Sequence, residues 1–567
     1  MNALPDSALD MLDWTWEQYK PYADALLEQE VTDETVEQWL ADWSAFGRLL
    51  YETYNRLYVA LTVDTTDEAV EARFNRFIED VMPEMQVVTD QLNRKLLESG
   101  LEPEALEVPL RGIRAQVEIF REANIPLFVE EQKLGNEYDK IAGAQTIEWE
   151  GEEKTLAQMA PVFMSTDREK REKAFRAIVA RRLEDREKLN ELWTKLFKLR
   201  QQVAANAGFD NFLEYQWKAL GRFDYTPEDA RRLQQSILDV VVPAVERINE
   251  RRRKRMGLDV LKQWDLDVDP QGREALTPFK KGDELAAGAA TIFNQVDPEL
   301  GAYFQEMRDG GLLDLDNRKG KAPGGYCTTY SHIKKPFIFM NAVGIHDDVQ
   351  TMLHEAGHAF HAFEAAHLPY MQQDDPPMEF AEVASMSMEL LAAPYLTKDN
   401  GGFYSEEEAA RARVEHLESN LVFWPYMAIV DAFQHWVYTS GDAAMDPANC
   451  DAKWTELWHQ YKRGVDYTGL EDWVATGWQR KLHIYQLPFY YIEYGLAQLG
   501  ATQVWGNSLK DQAAALNEYR QALSLGGTAT LPDLFTAAGA KLAFDAETLG
   551  EAVALTEKTL AELDPEA

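Results

Sequence analysis

Cysteine is nearly absent, with only Cys327 and Cys450 among 567 residues and no CxxC or Cys/His cluster around either. That excludes a secreted disulfide scaffold, and a chain this long can bury a core without such staples. Positive charge is scarce too. Lys and Arg number 57 against 96 Asp and Glu, a formal charge of -39, so most of the surface repels polyphosphate and anionic lipid. Nucleic acid and membrane surfaces are not expected partners. No run of about 18 apolar residues occurs, and the N-terminus has no basic stretch leading into an apolar one, so the expected setting is cytoplasmic. Histidine is missing before His332, and all 10 lie between there and His483. Any histidine chemistry belongs to the C-terminal part.

Helical periodicity is abundant. Across 167–207, Phe175, Ile178, Leu189, Leu192, Leu196 and Leu199 recur at helical spacing among Arg, Glu and Lys, predicting one long amphipathic helix. Similar texture covers 8–97, 227–255, 284–309 and 406–439. Breaks at Pro103, Pro227, Pro270 and Gly272 are short, without a long linker or internal repeat. The economical arrangement is one mainly helical body, with an N-terminal portion over 1–190 and a chemistry-bearing portion over 191–567. One stretch differs: a Gly-rich turn over 321–330 and a short strand over 336–341 predict a small sheet just before the histidines. The basic run from Arg251 to Arg255 reads as a helix C-terminus, where cations are favoured.

His354, Glu355 and His358 form an HExxH motif in a helical pattern, with Asp347 near its start. Four residues make about one turn, so both histidines project from one face and can share a metal ion. Glu355 then stands where it can accept a proton from the attacking water. A catalytic zinc needs a third protein ligand. The metzincin spacing requires Gly at 361 and His at 364, but the chain has His361 and Glu364. Thermolysin-like and M1-aminopeptidase-like spacings require Glu at 377 or 378, where Pro377 and Met378 stand. A second helix begins after Pro377, and its Glu379, Glu382 and Glu389 all remain candidates by spacing. Each has a bland reading as well, Glu379 complementing the helix dipole and Glu389 holding a ligand histidine from behind.

The stretch from Gly324 through Tyr326, Asn341, the HExxH motif and Phe380-Ala381-Glu382 resembles the M3 family of zinc oligopeptidases, in its oligoendopeptidase F and Pz-peptidase branch. Supporting similarity runs over about 190 to 500 and includes Asn206 to Phe212, Gly257 to Leu266, and His483 to Tyr494. The resemblance implies Glu382 as third zinc ligand. It implies two helical halves enclosing a deep substrate cleft, and short unfolded peptides as substrates. It also implies that His483, Tyr490 and Tyr494 face the metal as donors to the carbonyl oxygen, although Tyr485 or Tyr491 could take that place in so aromatic a run. Gly324, Gly325 and Tyr326, with the strand over 337–340, are expected to hold the peptide backbone by strand pairing. The remaining histidines are read as structural, and His361 as core or a neighbour of the ligands. Two rivals remain: a carboxypeptidase of the M32 or angiotensin-converting-enzyme type, and a catalytically silent peptide-binding protein.

Overall fold

A computed structural model describes residues 3–564 apart from 319 and 323, so Pro323 of the expected turn lies outside the described residues. The N-terminal helices close their apolar stripes on one another. Helix α1 (Val36–Val63) buries Trp39, Phe46, Leu49 and Leu57 in a core shared with Tyr19, Phe77, Leu92 and Leu96. A hairpin of β1 (Thr146–Trp149) and β2 (Glu152–Thr155) follows.

The single helix expected over 167–207 is in fact two, α2 (Arg168–Leu183) and α3 (Arg186–Ala207). Neither Pro nor Gly marks the break. Asp185 makes it, with its carboxylate accepting from Arg181 at 2.6 Å, Lys188 at 3.0 Å and Gln145 at 3.2 Å. Those partners hold its backbone at ψ 2°, outside the helical range.

The expected sheet is present as β3 (Leu313–Asp316), β4 (Tyr326–Tyr330) and β5 (Lys335–Ala342). Its order is β3-β5-β4, parallel between β3 and β5 and antiparallel between β4 and β5, with Tyr326 opposite Phe339. The strand over 337–340 is therefore central rather than an edge. It is buried from Pro336 to Met340, as its unbroken apolar run requires. The edges are β3 and β4, and β4 is the one that lines the cavity beside the HExxH helix.

Helix α4 (His346–Ala365) carries the HExxH motif, and α5 (Met378–Ala392) begins after Pro377 as expected. Asp348, rather than Asp347, secures the start of α4: one carboxylate oxygen accepts from the N–H groups of Val343, Gly344 and Ile345 at 2.8 to 2.9 Å. Helix α6 (Glu406–Thr439) spans 34 residues, and α7 (Tyr491–Ser508) packs against α5. The large core of these helices runs from Ile119 to Leu560.

A tight polar seam joins the two bodies. Arg48 of α1 donates to Asp374 at 2.5 and 2.8 Å and to the Leu368 and Pro369 carbonyls. Tyr326 and Thr62 share a hydrogen bond of 2.6 Å across the seam. The basic run closes the helix Val242–Arg255, where Arg253 pairs with Glu250 at 2.8 Å and Arg255 with Asp564 at 2.7 Å. Among the described residues no helix is long and apolar enough to cross a membrane.

Candidate metal centre

Helices α4 and α5 cross very closely, because position 357 has no side chain. A Cβ on Gly357 would lie 2.5 Å from the Ser385 Cα and 2.7 Å from the Ala384 carbonyl oxygen. The approach brings Glu382 onto the histidine face of α4. One Glu382 oxygen stands 3.3 Å from the His354 Nε2 and 3.6 Å from the His358 Nε2. Ligand atoms of these three residues all lie within 4.8 Å of one another, and among the described residues no other such group occurs. We expect Gly357→Ala to push the helices apart and cost about 1 to 3 kcal/mol, the usual range for overpacking. Thermal unfolding of the metal-free protein together with its metal affinity checks this; an unchanged melting temperature would contradict the close crossing.

The donor set fits a divalent metal ion. Two borderline imidazole nitrogens and one hard carboxylate oxygen make a mixed set of the kind that holds zinc. Glu389 takes the proton side of the His354 imidazole, with its Oε1 2.7 Å from Nδ1, which turns Nε2 toward the shared centre. The other Glu389 oxygen stands 2.7 Å from the His416 Nε2. Burial alone would lower the His354 imidazole, but hydrogen bonds and charge from Glu382 and Glu389 hold it well above its ordinary value. His358 is pushed down to about 4, because burial outweighs the charges of Glu382 and Glu389. Burial raises Glu382, yet the charges of His358 and His354 and the donors around it win and hold it at about 2.

Glu355 is 7% exposed and outside the three-residue group. Burial pushes its carboxyl up to about 7, against the lowering effect of His354, and the Cys327 N–H donates to it. Glu379 faces away: it accepts from the Tyr225 hydroxyl at 2.6 Å and stands 3.3 Å from Arg222.

A cavity of about 420 Å³ opens over the centre. Gly325, Tyr326, His354, Glu355, His358, Glu382, Tyr490 and Tyr494 all line it. Gly324 has a φ of 96°, a left-handed conformation, and turns the chain into β4. A Cβ on Gly325 would sit 3.7 Å from a Glu355 carboxylate oxygen, so its bareness opens space beside that group. Tyr490 donates to Glu382 at 2.8 Å. Phe489, at φ 67°, forces the chain to turn just before it; its N–H donates to Gln434 at 3.0 Å and its carbonyl accepts from Arg222 at 2.6 Å. The alternatives in the aromatic run lie elsewhere. Tyr485 is fully buried against Tyr138 and Trp478, and Tyr491 packs on His483 and Tyr426. His483 stands behind the two lining tyrosines, its ring 5.7 Å from Tyr490 and 5.9 Å from Tyr494, and burial pushes it down to about 3. His361 reaches the cavity wall but is buried beside Phe380. His416, read from the sequence as structural, instead braces Glu389. Its separation of 27 residues from that partner left no local pattern to read.

A helical body closed around an HExxH helix, with a carboxylate delivered from the next helix, defines the metallopeptidase class of architecture. The chain belongs to peptidase family M3: the Peptidase family M3 model matches residues 162–553, and the Peptidase M3 N-terminal domain model matches 9–120. Among solved structures, "PZ peptidase A with inhibitor 2" is 30% identical, with a TM-score of 0.92 over 98% of this chain and 99% of that one. Chromosomal oligoendopeptidase F of Lactococcus lactis subsp. cremoris is 24% identical over 57% of this chain and 52% of its own. Oligopeptidase PepF of Bacillus subtilis is 23% identical over 57% of this chain and 47% of its own. The matched stretches thus span about half the length of these curated relatives.

Proposed function

We propose that the protein is a zinc-dependent endopeptidase that hydrolyses internal bonds of short, unfolded peptides in the cytoplasm. One observation carries the reading: the Glu355 carboxylate lies beside the His354, His358 and Glu382 group, in a cavity walled on the far side by Tyr490 and Tyr494. His354, His358 and Glu382 would hold zinc, which supplies Lewis acidity toward the peptide carbonyl when bound. Glu355 takes a proton from the attacking water and passes it to the departing amine nitrogen. Its elevated proton affinity suits a group that must both accept and release. Tyr490 and Tyr494 donate to the carbonyl oxygen as it gains charge, with the neutral His483 backing both.

Strand β4 supports backbone recognition. The Thr329 carbonyl accepts from Asn55 at 2.8 Å and the Cys327 N–H meets Glu355, so the odd positions of β4 face away from β5. The Cys327 carbonyl and Thr329 N–H share that side, and a peptide strand would pair with them irrespective of its side chains. Gly324 and Gly325 let that backbone approach. The free thiols of Cys327 and Cys450 agree with a reducing compartment.

The two tyrosines differ in one respect. Tyr490→Phe removes a hydroxyl whose single proton goes to Glu382 here and turns to the carbonyl oxygen only once substrate is bound, so it should lower kcat roughly 100-fold or more and, in the absence of substrate, weaken zinc about 10-fold. Tyr494→Phe should lower kcat comparably and leave zinc affinity alone. Wild-type kinetics in both variants would make the run mere packing.

The cavity also limits substrates. A folded domain of 100 residues is about 26 Å across, whereas an extended strand threads a slot that a domain cannot enter. Peptides of roughly 5 to 20 residues should be cut, and the same sequence inside a stable folded domain should not. Comparable cutting of both would contradict the enclosed site.

A further inference from the structure

Cations in so acidic a chain ordinarily sit beside carboxylates, as the run from Arg251 to Arg255 shows. Four do not. Arg182, Lys462, Arg480 and Lys481 gather around Tyr426, and among the described residues none of them is in an ion pair. The Lys462 and Lys481 ammonium groups stand 5.5 and 5.7 Å from the Tyr426 ring centre, and Lys481 stands 4.5 Å from that of Tyr491. The Arg480 guanidinium lies 4.1 Å over Trp473 and donates to its carbonyl at 2.7 Å. Lys462 donates to the Val422 carbonyl at 3.3 Å. Arg182 and Arg480 are close enough to repel one another, and both act on Tyr426 and Tyr138.

All four side chains are partly buried. Burial without a counter-charge pushes Lys462 and Lys481 down to about 8 and Arg480 to about 9. Partly desolvated cations left unpaired are costly to the fold, and an anion would relieve them. The cluster adjoins the wall of the metal cavity. From the Tyr490 ring to His483 is 5.7 Å, from His483 to Tyr491 is 4.9 Å, and from Tyr491 to the Lys481 ammonium is 4.5 Å. The ammonium is therefore within about 15 Å of Tyr490, the span of roughly four to five extended residues.

We propose that Arg182, Lys462, Arg480 and Lys481 form a carboxylate-binding subsite that takes the C-terminal carboxylate of the peptide substrate, a few residues beyond the cleaved bond. This inference rests on the peptidase reading above and adds a direction and a length to it. Guanidinium and ammonium groups make charge-assisted hydrogen bonds to a carboxylate, strengthened where water is partly excluded. An acidic side chain carries the same group, but every linear peptide with a free terminus carries it whatever its sequence. That suits a site which otherwise recognises backbone.

The test uses three peptides sharing one cleavable sequence: one with a free C-terminal carboxylate four residues past the cut, the same peptide amidated, and an amidated peptide ending in Glu. Dissociation constants are measured by fluorescence anisotropy on zinc-loaded Glu355→Gln protein, and KM on the wild type. The free acid should bind roughly 10-fold tighter than the amide, and Lys481→Met and Arg480→Met should each bring that ratio toward one. Because the ratio is taken on a single preparation, partial misfolding of a variant does not imitate the effect. Equal binding of acid and amide by the wild-type cluster, a ratio unchanged in both variants, or a preference confined to the peptide ending in Glu would overturn the proposal. Failure of the wild type to cut any of the three would sink the peptidase reading itself, an outcome separate from the binding ratio.

Discussion

Glu355→Gln should retain the wild-type zinc content and lose turnover by roughly 100 to 10,000-fold, the range for removing a general base. The amide keeps the shape of the carboxylate, and its oxygen can still accept the Cys327 N–H. It cannot take a proton from water at neutral pH. Because Glu355 lies outside the group formed by His354, His358 and Glu382, its loss should leave that group assembled. Metal analysis and steady-state kinetics on one preparation decide the matter. A variant that kept about a tenth of the wild-type rate would show that some other group moves the proton, and a variant that lost its zinc would show that Glu355 helps to hold the ion.

Glu382→Ala should abolish stable zinc binding, because a site with three protein ligands does not survive on two. The same change frees the Tyr490 hydroxyl and the Ser385 hydroxyl from their shared partner, so activity should not return on adding excess metal. The neighbouring carboxylates behave differently. Glu389→Ala removes the brace behind His354 and should weaken zinc about 10 to 100-fold. Glu379→Ala should leave zinc bound and instead cost about 1 to 3 kcal/mol of stability, since it strands the buried Tyr225 hydroxyl and takes from Arg222 one of its two carboxylates, Glu493 remaining at 2.8 Å. Zinc dissociation constants and denaturant unfolding of the three variants separate these roles. Equal zinc retention in Glu382→Ala and the wild type would remove Glu382 from the site.

Much of the fold is legible in the chain because helical periodicity is local. The helix over 406–439 and the strand after the Gly-rich turn lie where their patterns put them. The break at Asp185 is not legible, since it depends on Gln145 from a neighbouring element as well as on nearby Arg181 and Lys188. The candidate site divides in the same way. One helical turn brings His354 and His358 together, so their spacing suffices. Glu379, Glu382 and Glu389 cannot be ranked by spacing, because the crossing of two helices decides which of them meets the histidines, and that crossing depends on the bare Gly357. Resemblance to known oligopeptidases supplied Glu382 where geometry was silent. Among the tyrosines, the left-handed turn at Phe489 separates Tyr485 from Tyr490 and Tyr494, and no periodicity signals such a turn at a non-glycine residue. The edge position of β4 likewise follows from strand order, a non-local property that placed the expected edge one strand away.

The most direct test of the central claim is mass spectrometry of a mixed peptide library incubated with the protein, first stripped of metal by a chelator and then reloaded with zinc. The account predicts internal cleavage of short peptides by the reloaded protein and none by the stripped one. Removal of single residues or dipeptides from peptide ends only would point to an exopeptidase, and an uncut library in the presence of bound zinc would point to a peptide-binding protein; either result would contradict the account.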